Sequence, residues 1–327
     1  MGGDHAPAEI VKGAVGAASL YEIEVTLVGD EQAIRAHLPK RALEDARIQI
    51  HHTPESIGMD DCVNSVRTKP RASVVVAADL VKSGRADAMI SVGNTAAAMA
   101  VATLKLGRVP GIERPAIAIV LPCLEGNTIL LDAGANADCT PENLVQFAVM
   151  GSIYAEKVLK KPHPRVALLS IGEEPTKGNE LTKQAYLALG AAGLNFIGNV
   201  EGRSLFSGSA DVVVADGFVG NVALKASEGL AEFVVNLLEE ELGRHRLLRV
   251  PLFFLRPAIR RLRRRVDYAE YGGAPLLGVN GVCVVGHGRS NAKAVSSAIK
   301  AAKEAVDRRI IDCIKTSLPS IESVRNA

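Results

Sequence analysis

Tryptophan is absent from this 327-residue chain, and aromatic residues together make up only 4% of it. Stacking platforms for nucleic-acid bases therefore have little to be built from, and we expect no nucleic-acid partner. Charge of one sign is not in excess either, because the formal net charge is only +2. With 48% apolar residues, the composition is typical of a folded globular chain and excludes a wholly disordered one.

Cysteine is sparse, and the five residues form no C-x-x-C pair: Cys62, Cys123, Cys139, Cys283 and Cys313. This pattern is typical of a reducing cytosol and speaks against a disulfide framework or a zinc site. The start of the chain has no secretory signal pattern, and no uncharged stretch reaches the roughly 18 residues that a membrane span needs. We therefore expect a cytoplasmic protein without a spanning helix.

Several catalytic fingerprints are also missing. No G-x-G-x-x-G follows a strand, and GEEPTKG (172–178) lacks the G-K-[ST] ending of a nucleotide-binding loop. The zinc-protease motif H-E-x-x-H and the serine-hydrolase motif G-x-S-x-G are absent too. No cluster of metal-ligating residues is visible, so we expect neither a metal nor a cofactor.

What the chain does contain is an alternation of short Val- and Ile-rich runs with longer helical patterns. The runs predict buried strands at residues 23–29, 86–93, 115–122, 127–134, 165–172 and 210–217, and the helical patterns include residues 8–20, 73–83, 141–159 and 218–242. Such alternation indicates a mostly parallel sheet covered on both faces. We expect an α/β, doubly wound fold in a single domain over residues 1–327, with room for two lobes around a central cleft.

Polar, glycine-containing loops follow several of these strands: GNTAAAM (93–99), DAGANAD (132–138), SIGEEPTKGNE (170–180), IGNVEGR (197–203) and DGFVGNVALK (216–225). In open α/β sheets, ligands bind where strands end and helix N-termini direct backbone N–H groups outward. Glycine allows the backbone to approach an anion closely, and Asn, Thr and Lys add donors. The repeated pattern predicts a single pocket, assembled from many loops, for an anionic ligand.

A basic segment, RHRLLRVPLFFLRPAIRRLRRR (244–265), carries nine Arg residues and no acid. Apolar residues recur within it at helical spacing, namely Leu252, Leu255, Ile259 and Leu262, with Phe253 beside them. This spacing predicts two short amphipathic helices. Three interpretations are open: a surface for an anionic membrane, a surface for an acidic partner protein, or an Arg-covered helix packed on its own core.

Taken together, the loops above, the opening MGGDHAP (1–7) and the later EYGGAPLLGVNG (270–281) and HGRS (287–290) closely resemble the bacterial phosphate acyltransferases of the PlsX family. The resemblance covers essentially the whole chain. It implies an isopropylmalate-dehydrogenase-like α/β fold, a homodimer, and transfer of a fatty acyl group from acyl carrier protein to inorganic phosphate. It further implies attachment to the inner face of the cell membrane through a helical hairpin, here residues 244–266, near the membrane glycerol-3-phosphate acyltransferase that acts next in phospholipid synthesis.

One departure from the family concerns the start of the chain. In the family the opening motif follows a short strand and an Asp-Ala pair, and neither is present here. Loss of a central parallel strand would expose sheet edges. We therefore expect this form of the chain to be less stable than one extended upstream.

The site residues follow from this chemistry, in which phosphate attacks a thioester. The predicted catalytic residues are Lys177, Asn221 and Asp216, with Lys177 as the cation that holds phosphate or the developing oxyanion. The predicted phosphate- and substrate-binding residues are Gly2, Gly3, Asp4, His5, Asn94, Thr95, Asp132, Asn136, Gly217, Lys225 and His287. The predicted membrane-binding residues are Leu252, Phe253, Leu255, Ile259 and Leu262.

Structural roles remain open for many of these residues. Asn94 and Thr95 could simply cap a helix, and His5 and His287 could be satisfied loop residues instead of acids for the departing thiol. Asp132 and Asp216 are expected to be hydrogen-bonded, where they would orient a loop or Lys225. Two other functions also remain open: a phosphotransacetylase-like enzyme that uses acyl-coenzyme A, and a non-catalytic peripheral membrane scaffold.

Overall fold

A computed structural model of the chain describes residues 1–244 and 273–317. The proposed membrane hairpin, including Leu252, Phe253, Leu255, Ile259 and Leu262, lies outside the described residues. In the described part, no helix is both long and apolar enough to cross a membrane.

Ten strands are found in the described residues, and they form two sheets. β1 (Val25–Gly29) and β2 (Ile48–His52) pair with each other in parallel. The other eight strands form one sheet: β3 (Ala88–Ser91), β4 (Ala116–Pro122), β5 (Asn127–Leu131), β6 (Val166–Leu169), β7 (Phe196–Val200), β8 (Val212–Val214), β9 (Ala274–Leu277) and β10 (Val282–Val285). The order across this sheet is β3-β10-β9-β4-β5-β8-β6-β7.

The direction of the strands divides the large sheet into two parallel groups. β5, β8, β6 and β7 run parallel to one another, and so do β10 and β3. Between the groups, β4 and β9 pair with their neighbours only in the antiparallel sense. From β5 through β4 and β9 to β10, each of the three strand pairs is antiparallel, so β10 runs opposite to β5. The carboxyl ends of the two groups therefore lie at opposite ends of the strands, which we call the two edges of the sheet.

Helices cover the sheets on both faces. The described helices are α1 (Ala8–Tyr21), α2 (Glu31–His37), α3 (Lys40–Leu43), α4 (Ser65–Thr68), α5 (Ser73–Lys82), α6 (Thr95–Val101), α7 (Pro141–Lys157), α8 (Glu180–Ala191), α9 (Gly217–Arg244), α10 (Ala292–Asp307) and α11 (Ile310–Ser317). A π-helical turn (Ala102–Leu106) follows α6, and a 3₁₀ helix (Gly202–Phe206) follows β7. The predicted α/β fold with a mostly parallel central sheet is therefore confirmed.

Two apolar cores lie on opposite faces of the large sheet, as expected for strands buried on both sides. One core packs β5 and β8 residues against α5 and α6, and the other packs alternate residues of the same strands against α7 and α10. Leu130 and Val213 face the first core, whereas Leu131 and Val214 face the second. This alternation shows that both faces of β5 and β8 are buried.

Candidate active site

Three helices begin at the edge where β5, β8 and β6 end. α7, α9 and α8 follow these three strands, respectively, along the chain. The strands are direct neighbours, so their carboxyl ends lie side by side. Because the N-terminus of a helix carries partial positive charge and unpaired N–H groups, this edge favours an anion.

Asp132, directly after β5, organises the loop at the centre of this edge. Its side chain is 0% exposed. Oδ1 accepts hydrogen bonds from the backbone N–H groups of Ile117 (2.9 Å) and Ala135 (3.1 Å). Oδ2 accepts from the backbone N–H (2.7 Å) and the side-chain Nδ2 (2.9 Å) of Asn136. Burial raises the pKa of the Asp132 carboxyl, and the four donors oppose that rise.

The start of α9 packs against this loop with no space for a side chain. A Cβ added at Gly220 would overlap the Asp132 carbonyl oxygen, and one at Gly217 would lie 2.6 Å from the Asn136 carbonyl oxygen. The Gly217 N–H donates to the same Asn136 oxygen (2.7 Å), and Asp216 Oδ1 accepts from the Val219 N–H (2.9 Å) at the helix start. These contacts confirm the expectation that Asp132 and Asp216 are hydrogen-bonded, Asp132 within its own loop and Asp216 at the start of α9.

Asn221 and Lys177 are two exposed polar residues in the segments that follow β8 and β6 at this edge. Asn221 lies on α9 against Gly134, where an added Cβ would be 3.4 Å from its side chain. Lys177 lies in the β6–α8 loop, and its backbone N–H donates to Glu174 (3.0 Å) while its carbonyl accepts from Ser170 Oγ (3.4 Å). Within the described residues, no hydrogen bond or ion pair occupies its Nζ. Lys177 is therefore held by its backbone and leaves its charge available to a ligand.

Two residues near this loop were not identified from the sequence. Cys139 contacts the Asn136 carbonyl oxygen through its Sγ (3.5 Å), and burial raises the pKa of its thiol to about 11. It is therefore protonated at neutral pH and poorly suited to act as a nucleophile. Arg114 lies close enough for its charge to lower the pKa of the same thiol, which places a second cation beside the loop. Its position in GRVPGIERP (107–115), a loop preceding β4, gave no signal of this proximity.

A second group of predicted residues lies at the opposite edge, where β3 and β10 end. The Asp4 N–H donates to the Gly288 carbonyl oxygen (2.9 Å), and Gly3 lies directly against the Val92 carbonyl oxygen. The exposed His5 lies three residues before α1, and the exposed Thr95 is the first residue of α6. The structure therefore brings the opening residues of the chain onto the ends of β3 and β10.

Asn94 is fully used within the protein. Its Oδ1 accepts from the Ala97 N–H (3.0 Å), and its Nδ2 donates to the carbonyl oxygens of Gly58, Met59 and Asp61 at 3.0–3.3 Å. It is thus the N-cap of α6 and ties the 58–61 loop to it. This outcome agrees with the capping interpretation and leaves its side chain no further donor for phosphate.

Lys225 lies between the two groups. Its Nζ pairs with Glu228 (2.7 Å), so of the two expected alternatives for Asp132 and Asp216, a loop or Lys225, the hydrogen bonds fit the loop. Burial lowers the pKa of His287, and the charges of Lys225 and Arg289 lower it further against the opposing effect of Glu228 and Asp4. His287 Nδ1 accepts from the Arg289 N–H (3.2 Å). A neutral imidazole with its proton on Nε2 is a hydrogen-bond donor but a poor acid for a departing thiol.

The predicted residues therefore divide into two groups. The first turns of α9 reach both, because Gly217 and Gly220 contact the Asp132 loop and the charge of Lys225 acts on His287. Asp132, Asn136, Asp216, Gly217, Asn221 and Lys177 are gathered at the edge formed by β5, β8 and β6. Gly2, Gly3, Asp4, His5, Asn94, Thr95 and His287 lie at the other edge. The division arises because β4 and β9 reverse the direction of the sheet, which the loop pattern alone did not reveal. Asn199, in the fourth predicted loop, lies within β7 and not in a loop.

Comparisons with known proteins agree with this architecture. The model of a family described as "Fatty acid synthesis protein" matches residues 1–312. A phosphate acyltransferase of Pelotomaculum thermopropionicum is 52% identical over 323 residues, which cover 98% of this chain and 94% of that protein. A phosphate acyltransferase of Geobacter sulfurreducens is 50% identical over 311 residues, covering 95% of this chain and 90% of that protein.

Solved structures show a similar fold at low sequence identity. A phosphotransacetylase from Streptococcus pyogenes is 18% identical with a TM-score of 0.61, and the alignment covers 91% of each chain. A branched-chain phosphotransacylase from Enterococcus faecalis is 15% identical with a TM-score of 0.53, covering 93% of this chain and 97% of that one.

Proposed function

This chain belongs to the family of fatty acid synthesis proteins, and from that premise we propose that it is a phosphate acyltransferase that moves a fatty acyl group from acyl carrier protein to inorganic phosphate. The acyl-phosphate product would serve phospholipid synthesis. The observation that carries the proposal is the shared edge of β5, β8 and β6, where three helices begin and where the loops with Asp132 and Lys177 follow their strands.

The chemistry asks little of a side-chain nucleophile. A thioester is an activated acyl donor, because its leaving thiol has a pKa of about 8.5. Phosphate carries the nucleophilic oxygen, so the protein needs to hold it, stabilise the tetrahedral oxyanion and exclude water. The high pKa of the Cys139 thiol agrees with direct attack by phosphate on the thioester carbon, which forms the P–O–C bond and releases the carrier thiolate.

Each group at this edge has a proposed role. Lys177 Nζ neutralises phosphate or the oxyanion, and the N–H groups at the start of α9 and α8 bind its oxygens. Asn221 adds a side-chain donor beside Gly134. Asp132, Asn136 and Asp216 touch no ligand in this proposal, and they position the loop and the helix start. Exposed Phe218 and Val222 on the first turns of α9 offer an apolar surface for the acyl chain.

We also propose a homodimer that pairs through α9. Its second half exposes a row of apolar side chains, including Leu230 (63% exposed) and Phe233 (61% exposed), with Leu237 one turn further along. Rows with spacings of three and four residues are typical of helices that pack against another helix. A second copy of the chain would bury this row and bring two sites close together.

The membrane proposal rests on the sequence of residues 244–266 alone. We propose that this segment attaches a cytoplasmic protein to the inner face of the membrane, where acyl-phosphate would reach the glycerol-3-phosphate acyltransferase. Flotation with vesicles that contain anionic lipid tests it. Leu255→Glu should reduce the bound fraction, and unchanged flotation would contradict the proposal.

An assay for acyl-phosphate tests the main proposal. The protein is incubated with inorganic phosphate and either a long-chain acyl carrier protein or acetyl-coenzyme A. We expect product mainly from the acyl carrier protein, whereas product mainly from acetyl-coenzyme A would favour a phosphotransacetylase. Lys177→Ala should lower turnover about 100-fold or more, without change in thermal midpoint. Lys183→Ala removes an exposed charge nearby on α8 and should leave turnover unchanged; equal loss in both variants would refute the role of Lys177.

A further inference from the structure

The loop that carries Lys177 is held at both polar groups of the Lys177 backbone. Residues 170–179 join β6 to α8. The Ser170 N–H donates to the Val200 carbonyl oxygen of β7 (2.9 Å), and Ser170 Oγ donates to the Lys177 carbonyl oxygen (3.4 Å). The Lys177 N–H donates to the Glu174 carbonyl oxygen (3.0 Å). The position of the Glu174 carbonyl therefore helps to set the position of Lys177.

The Glu174 carbonyl oxygen has a second donor, which comes from β7. Asn199 Nδ2 donates to it at 2.9 Å. Asn199 is only 6% exposed, and its Oδ1 is buried without a hydrogen-bond partner among the described residues. A buried acceptor that stays unpaired destabilises a fold, and native proteins contain few of them. Stability alone therefore does not account for this amide, whose side-chain hydrogen bond goes to the loop of Lys177.

An irregularity in β7 brings Asn199 to this position. Val166 of β6 pairs with Phe196, but Leu168 pairs with Asn199, so β7 has one residue more than β6 between the two pairs. Gly198 lies at this bulge with a φ of +98°. Because paired residues of neighbouring strands share a face of the sheet, the extra residue moves Asn199 to the face of Leu168, which packs in the core with α7 and α8. Regular pairing would turn Asn199 to the opposite face.

Gly172 leaves the space along which the Lys177 side chain runs. A Cβ added at Gly172 would lie 2.9 Å from Lys177 Cγ and 3.3 Å from Lys177 Cβ. Both distances are inside the roughly 3.5–4.0 Å at which two carbon atoms make their best contact. The first carbons of the lysine side chain therefore lie directly on the Gly172 backbone, which sets the direction in which the side chain leaves the loop.

We propose that Asn199 is a positioning residue for Lys177, acting through the Glu174 carbonyl oxygen, and that Gly172 sets the direction of the lysine side chain. We name Asn199, the Glu174 carbonyl and Gly172 the Lys177 clamp. Asn199 touches no substrate; it restricts the backbone from which Lys177 Nζ reaches phosphate or the oxyanion. A displacement of about 1 Å at a reacting group costs up to about 100-fold in rate. The effect on catalysis rests on the proposed function, whereas the effect on the loop does not.

Asn199→Leu removes the amide and keeps a similar volume. Because the unpaired Oδ1 is lost together with the donor, the thermal midpoint should stay within about 2 °C, while kcat/KM for phosphate should fall about tenfold. In a Lys177→Ala background the same substitution should change kcat/KM less than twofold, because a residue that acts through Lys177 then has nothing to position. A purely structural role predicts a lower midpoint and an equal loss of activity in both backgrounds, and that result would overturn the proposal.

Gly172→Ala tests the direction of the side chain and removes no hydrogen bond. The added methyl group should displace Lys177 Cγ and lower kcat/KM about tenfold, without a fall in the thermal midpoint. Gly190→Ala on α8 is the matched control, since a Cβ there meets nothing within 4 Å among the described residues outside its own helix. Its activity should equal that of the unaltered chain. Equal activity of the two alanine variants would refute the role of Gly172, and this pair decides on the clamp if Asn199→Leu does not fold.

Hydrogen exchange separates this proposal from the proposed function. The backbone amides of residues 171–178, followed by mass spectrometry on the full chain, should exchange about threefold to tenfold faster in Asn199→Leu, the factor expected for one hydrogen bond. Exchange in the other segments should not change. Unchanged exchange of the loop would contradict the clamp whatever the activity. A chain that makes no acyl-phosphate but shows the faster exchange would contradict the proposed function and support the hold of Asn199 on the loop.

Discussion

Replacement of Asp132 by Asn tests how the candidate site is held together. The side chain is 0% exposed, and both of its oxygens face only hydrogen-bond donors. A protonated carboxyl has no acceptor to which it could donate, so we expect the ionised form at neutral pH although burial raises the pKa. Asn has the same shape but places an NH₂ group where one carboxylate oxygen stands, whichever way the amide is turned.

The magnitude follows from the donors that lose their acceptor. With its oxygen towards Ile117 and Ala135, the new amide leaves the backbone N–H of Asn136 and one Nδ2 hydrogen facing another donor. Each buried unsatisfied donor costs about 1–3 kcal/mol, so with two such donors the free energy of unfolding should fall by about 2–6 kcal/mol. For a chain of this length, about 1.5 °C of midpoint corresponds to 1 kcal/mol, which gives a fall of about 3–9 °C.

The assay compares two variants by thermal unfolding at neutral pH. Asp138→Asn removes the same charge from the same loop, but Asp138 is exposed and should change the midpoint by less than about 1 °C. Asp132→Asn should also lower acyl-phosphate production, because the loop positions the start of α9. If the two variants unfolded at the same temperature, Asp132 would have to be protonated or its hydrogen bonds unimportant, and the explanation of the site would be wrong.

Two further predictions concern α9 and an ion pair distant from the site. Leu230→Glu combined with Phe233→Glu should convert a dimer to a monomer in sedimentation velocity, whereas Glu232→Gln on the same turn should not; a dimer that persists in the double variant would exclude this surface as the interface. Burial would raise the pKa of Asp211, but Arg165 and Lys161 outweigh it and hold it at about 2. Because the folded-state pKa lies below the unfolded value, this stability is present above about pH 4 and lost as the pH falls towards 2. Asp211→Asn should lower the free energy of unfolding at neutral pH by about 1–2 kcal/mol after solvent screening, and it should reduce the loss of stability between about pH 4 and pH 2. An unchanged loss of stability over this pH range would refute the role assigned to Asp211.

The sequence predicted the local elements of the fold better than their arrangement. All six predicted strands are present. The strand predicted at 127–134 is three residues shorter and the one at 210–217 is five residues shorter, because glycine-containing loops were counted with them. Four strands, β2, β7, β9 and β10, were not predicted, and β9 matters most, since it lies between the two parallel groups. Nothing in ADAMISVG or NTILLDAG states in which direction one strand runs relative to the other.

The candidate site shows the same limit at the level of side chains. Asp132 and Asp216 were expected to be hydrogen-bonded, since an unpaired carboxylate at the end of a buried strand is costly, and both are. The partner of Lys225 was not foreseen, because Glu228 lies one helical turn away and competes successfully with more distant acids. Arg114 reaches the loop through the turn before β4, a contact between segments that are separate in sequence.

α9 gives the molecule a rigid connection over a long distance. It spans 28 residues, or about 42 Å, and its first turn is clamped at Gly217 and Gly220, where backbone meets backbone with no side chain between. If the far half of α9 tilted, the first turn would have to move away from the backbone of Asp132 and Asn136. A partner that binds the far half of the helix would therefore change the position of the Asp132 loop.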